Sequence, residues 1–171
     1  MREYIKDIDQ YNLYKKHYSK GFPFDVIAFA KDLGINVTQS NFNSNDKVSG
    51  LIKKFSENNI VISVKANDVD TRQRFTIAHE LGHFFLHQDL LEEGFMDGVG
   101  LMRDGSNNEI EKQANSFAAN LLMPEAIFRE MWSNNKLSSK QIANFFYVSE
   151  SAVIIRAINL KLTDDYSSYF G

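Results

Sequence analysis

Arg74-Phe75-Thr76-Ile77-Ala78-His79-Glu80-Leu81-Gly82-His83 sets an H-E-x-x-H motif inside a stretch of helical period. Phe75, Ile77, Ala78, Leu81, Phe84, Phe85 and Leu86 recur at the spacing of a strongly apolar helix, predicted over residues 71–87. In such a helix the i, i+4 spacing puts His79 and His83 on one face, a single turn apart. Two imidazole nitrogens can then reach one zinc ion at about 2.0–2.1 Å. Glu80, beside the first histidine, is placed to act as general base on a metal-activated water without ligating the metal itself. The bland alternative is a pair of core histidines that only make hydrogen bonds; the helical context favours the metal.

Two histidines do not complete a site, because catalytic zinc takes a third protein ligand and leaves a position for water. His87 lies eight residues beyond His79, about 12 Å along a straight helix axis, too far to share the same ion. The extended pattern H-E-x-x-H-x-x-G-x-x-H also fails, since its last two fixed places hold Leu86 and Asp89. His87 and His17 are therefore read as surface or helix-end residues. A second apolar helix is predicted over residues 109–122, and Glu111 and Asn115 share one of its faces. One could offer a carboxylate to the metal and the other a hydrogen bond to a ligand imidazole. Ala114, Ala118 and Ala119 would let the two helices approach closely. Spacing alone leaves Glu109 as a rival to Glu111.

Upstream, residues 48–55 and 60–64 are β-rich runs joined by Ser56-Glu57-Asn58-Asn59, a hairpin signature, and Ile35 to Thr38 reads as a further short strand. Asp25 is placed to cap a helix that Gly34 stops, and an amphipathic helix is expected over residues 1–20. Residues 88–108 read as a long loop with five acids (Asp89, Glu92, Glu93, Asp97, Asp104) against one Arg103. If it rims the site, it would favour a basic target. The pattern is that of an α+β fold, a small, mainly antiparallel sheet packed on a helical body. Three parts are expected: an N-terminal helix (1–22), a catalytic-type domain (23–124) and a C-terminal helical region packed on it (125–171).

Residues 140–154 have the outline of a helix-turn-helix, with Ala143, Val148 and Val153 as its buried positions and Tyr147 where the turn usually has glycine. Residues 125–171 carry five Lys/Arg and five Asp/Glu, and a phosphate-binding surface needs an excess of cations. That argues against nucleic acid. So does the whole-chain net charge of −3. With no cysteine, any metal must be held by imidazole and carboxylate. The N-terminus lacks a signal-peptide apolar run, and no stretch reaches the ~18 apolar residues of a membrane span. The expectation is a cytoplasmic protein without a membrane partner.

The run Arg74 to His83, followed by Glu111-Lys112-Gln113-Ala114-Asn115-Ser116-Phe117-Ala118-Ala119-Asn120-Leu121-Leu122-Met123-Pro124, resembles the ImmA/IrrE family of metallopeptidases. Val48-Ser49-Gly50-Leu51-Ile52 and Ile60-Val61-Ile62-Ser63-Val64 are similar to its hairpin. The resemblance covers roughly residues 24–160. It implies a compact, gluzincin-like zinc peptidase of bacterial or phage type, with Glu111 in the third-ligand place. It also implies a protein target, a helix-turn-helix repressor that the enzyme cleaves or inactivates. Two histidines and a carboxylate also accept manganese or iron. Glu80 would take the water's proton and pass it to the leaving amine, and a sheet edge near residues 60–64 would hold an extended substrate. Two rival readings are a metal-containing protein that sequesters a repressor without cleaving it, and a DNA-binding regulator using the C-terminal region.

Overall fold

The computed structural model describes residues 1–42, 49–56, 58–91, 106–134 and 137–164. Its elements follow in the order α1 (Ile8–Tyr18), α2 (Val26–Asp32), β1 (Ile35–Ser40), β2 (Gly50–Ser56), β3 (Asn59–Lys65), α3 (Asp70–Leu86), α4 (Gln88–Leu91), α5 (Ser106–Leu122), α6 (Glu125–Ser133), α7 (Ser139–Phe146) and α8 (Glu150–Asn159). The architecture is α+β, a small three-stranded sheet on a helical body. Of the acidic stretch, Asp89 lies in α4, while Glu92, Glu93, Asp97, Arg103 and Asp104 lie outside the described residues.

The first helix is shorter than its apolar pattern suggests. Asp7 caps it, its Oδ1 accepting the Gln10 N–H at 2.9 Å, so the chain before it forms a turn that buries Ile5 and leaves Ile8 exposed. His17 is buried rather than superficial, its Nε2 lying 2.9 Å from Asp32 Oδ2. Gly34 ends α2 at φ 79°, a left-handed conformation that glycine adopts without a Cβ penalty.

The sheet order is β1-β3-β2. The β2–β3 hairpin is antiparallel, and β1 runs parallel to β3, Ile35 opposite Ile60 and Val37 opposite Ile62. The sheet is therefore mixed, and residues 60–64 form its central strand instead of an edge. Period-two alternation identifies a strand but not its neighbours. β2 stands at the end of this order, and among the described residues it pairs only with β3. Ile35, Ile52, Ile62 and Val64 turn inward under α2 and α3.

α3 runs across this sheet and packs most extensively on α5. The crossing is close because Gly82 has no side chain: a Cβ there would lie 2.9 Å from Ala114 Cα and 3.0 Å from its carbonyl oxygen. Ala114 and Ala118 are fully buried.

The last helices complete the same core. Ser138 and Gln141 form a reciprocal capping box on α7, and Ala143, Phe146, Val148 and Val153 are buried. Between α7 and α8, Tyr147 takes the left-handed conformation at φ 53°, ψ 57°, which costs a non-glycine residue about 1–2 kcal/mol. Contacts with α3 hold it there. Its hydroxyl donates to Asp70 Oδ2 (3.0 Å), its carbonyl accepts from Arg74 Nε (3.2 Å), and the Arg74 guanidinium lies 5.3 Å from its ring centre. Arg74 also donates from Nη2 to the Phe24 carbonyl at 3.0 Å, so one side chain ties α3 to both the early and the late chain.

Candidate metal centre

The spacing of His79 and His83 brings their rings together on the buried face of α3, Nε2 to Nε2 at 3.0 Å. The close approach of α5 carries Glu111 to the same point, Oε2 at 3.1 Å from His79 Nε2 and Oε1 at 3.5 Å from His83 Nε2. Among the described residues these three form the one group of metal-ligating type. Glu109, the rival on the same helix, is exposed and not part of it.

The outer nitrogen of each ring decides what the inner one offers. His79 Nδ1 lies 3.0 Å from Asn115 Oδ1, an oxygen that can only accept, so Nδ1 carries the proton and Nε2 a lone pair. His83 Nδ1 lies 3.0 Å from His87 Nδ1, and His87 Nε2 lies 3.0 Å from Gln113 Oε1. Gln113 Oε1 also only accepts, so His87 is protonated at Nε2 and accepts at Nδ1 from His83. That again leaves a lone pair on His83 Nε2. Burial, and secondly the neighbouring His79 and His87, push the His83 pKa down to about 2, so this ring is neutral.

Two lone pairs and a carboxylate thus face one another, a repulsive arrangement unless a cation lies between them. Four-coordinate zinc with ligands at 2.0–2.1 Å separates its donor atoms by about 3.3 Å, and the three separations here are 3.0, 3.1 and 3.5 Å. The donor set and its spacing fit a divalent metal.

Glu80 is fully buried on the sheet side of α3. A Cβ on Gly50, the first residue of β2, would lie 3.0 Å from Glu80 Oε1 and 2.2 Å from Thr76 Cγ2. Glycine at that position therefore lets the start of the edge strand lie directly on the Glu80 carboxylate. A cavity of about 230 Å³ opens beside the group, lined by Ser49, Phe75, Thr76, His79, Glu111 and Asn115 among others. The motif's spacing put His79 and His83 on one face, while for the third ligand it left Glu111 and Glu109 open; it is Glu111 that the structure brings to the two histidines, with Asn115 behind His79. Spacing missed His87 and Gln113; His87 ends α3 but is buried, turned back onto His83. Its signal was the i+4 spacing from His83, one further turn along the same face.

The model of a peptidase family, described as the IrrE N-terminal-like domain, matches residues 30–157. Metallopeptidase ImmA of Bacillus subtilis (strain 168) is 33% identical over 86 residues, 50% of this chain and 48% of that protein. The match spans about half the length of that relative.

Proposed function

The chain belongs to the ImmA/IrrE family, and we propose that it is a zinc-dependent endopeptidase with His79, His83 and Glu111 as metal ligands and Glu80 as general base. The observation that carries this reading is the convergence of two lone-pair nitrogens and a carboxylate within 3.5 Å of one another, each imidazole oriented from behind. What a bound cation supplies there is Lewis acidity, which polarises a peptide carbonyl and acidifies the attacking water.

The chain's own residues supply the rest. Asn115 and His87 keep the two ligand rings in the tautomer that points Nε2 inward. Glu80 removes the proton of the attacking water at its carboxylate and returns it to the departing amine. The side of β2 away from β3 offers backbone groups to an extended peptide by strand addition. Because Gly50 rests on Glu80, a peptide lying along that edge passes beside the base. Residues 125–171 serve as a helical subdomain docked on the catalytic part, and the target is a helix-turn-helix repressor. No described helix is long and apolar enough to cross a membrane.

The test is incubation of chelated and zinc-reloaded protein with the purified helix-turn-helix protein encoded beside its gene. Discrete fragments are expected only with zinc, and none with Glu80→Gln. Binding without fragments under every condition would replace cleavage by sequestration.

A further inference from the structure

A second, larger concavity lies against the metal cavity. It has a volume of about 1060 Å³ between the start of α3, the outer face of α5 and α8, and it shares Arg72, Phe75 and Asn115 with the smaller one. Its apolar lining includes Phe75, Met123, Val148, Ala152 and Ile155. On that lining Ile155 is 48% exposed, and Val69, which also borders the groove, 69% exposed. Large apolar side chains this open, rimming a concavity, mark an interaction surface more often than isolated ones do.

The groove also contains a buried charge that has no direct ion-pair partner among the described residues. Arg156 is only 5% exposed. Its Nη2 donates to Asn120 Oδ1 at 2.7 Å, its Nε has no hydrogen-bond partner, and among the described residues it makes no ion pair. The other charged residues of the groove are engaged or open to solvent. Arg72 is bound to Asp68, Glu125 is bound to Arg129, and Glu3 and Lys112 are exposed. The Glu125 carboxylate acts on Arg156 only through space and is itself bound to Arg129, so the guanidinium fork is left to suit a further carboxylate from outside.

Among the described residues the walls are helices α3, α5 and α8, the start of α6 and the Tyr4 turn, with no strand edge to pair with an extended backbone. An occupant must therefore be recognised through its side chains, as an amphipathic helix laid in an apolar groove is. We propose that this groove is a docking site for a helical segment of the protein substrate, with apolar residues at i, i+4 and i+7 and a Glu or Asp that pairs with Arg156. Docking there fixes a protein target beside the cavity of His79 and Glu111, leaving the neighbouring extended segment to reach the β2 edge. The proposal rests on the peptidase reading for the word substrate; the binding itself does not require catalysis.

The test uses chelated protein, in which hydrolysis is silent. A displayed library of 16-residue helices, apolar at i, i+4 and i+7 with Glu, Gln or Lys at i+3 and randomised elsewhere, is selected against it. Selected peptides are remade with a fluorophore and measured by anisotropy. The expected result is enrichment of Glu at i+3, at least tenfold weaker binding when it is changed to Gln, and at least tenfold weaker binding to Arg156→Met. Ile155→Glu, at an exposed position that folding does not depend on, should weaken binding as much. Failure to select any binder, absence of acid enrichment, or unchanged binding to Ile155→Glu would each overturn the proposal. Peptide binding that behaves as expected in a protein that cleaves nothing when reloaded with zinc would leave the groove standing and remove the peptidase reading.

Discussion

His83 Nδ1 lies 3.0 Å from His87 Nδ1, so the residue that ends α3 sets the tautomer of a residue one turn inside it. His87→Phe keeps a ring of similar size but removes the acceptor, and zinc affinity should fall by about 10–100-fold, the usual effect of losing such a partner. His87→Asn puts an acceptor oxygen near the lost Nδ1 and should recover much of it. Competition against a chromophoric chelator measures both, and the visible spectrum of the cobalt-substituted proteins reports ligand geometry. Equal losses in the two variants would reduce His87 to a space-filler.

Glu80→Gln should keep zinc at wild-type stoichiometry while hydrolysis falls by about 10²–10⁴-fold, the range for a lost general base. Glu111→Ala should lose zinc together with activity, and Glu109→Ala neither. Metal analysis beside a cleavage assay reads all three. Zinc loss from Glu109→Ala with retention in Glu111→Ala would reassign the third ligand.

Gly82→Ala offers a sign test. Alanine is the better helix former by about 1 kcal/mol, so an open position would gain stability. Here the added methyl meets the Ala114 backbone at 2.9–3.0 Å. We expect instead a loss of about 1–3 kcal/mol from overpacking, seen in urea denaturation. Zinc affinity should weaken too, because α5 is pushed away from α3 and takes Glu111 with it.

The neutral His83 also predicts an acid dependence of the chelated fold. Its pKa is depressed in the native state to about 2, while the unfolded chain protonates it below ~6.5. Below that value the unfolded state binds the extra proton, so stability declines as pH falls, by about 1.4 kcal/mol per unit from this group. Above it the contribution is constant. Denaturation midpoints of chelated wild type and His83→Gln between pH 7 and 5 should diverge in slope. Parallel curves would show that His83 takes up a proton in the native state.

The parts of the molecule legible in the sequence were those that depend on one element's own period. Two histidines four apart on an apolar helix must share a face, and Glu111 and Asn115 must share one on theirs. The pairing of β1 with β3 depends on where the chain goes after α2, and no alternation within residues 60–64 encodes a neighbour. His87 and Gln113 meet only because α3 ends where it does and α5 crosses at the distance Gly82 allows. Arg156 is an ordinary helix residue by spacing, and its burial comes from the packing of α8 over Asn120 and Tyr4.

The clasp of Arg74 on Phe24 and Tyr147 has a consequence for how the protein is made. A ribosome releases Phe24 and then α3 well before residue 147, so the nascent helix can be anchored at first only on its N-terminal side. The tie of Arg74 to the late chain waits for the α7–α8 turn to emerge. A truncated product lacking that turn would carry the motif and Glu111 with Arg74 fastened to Phe24 alone.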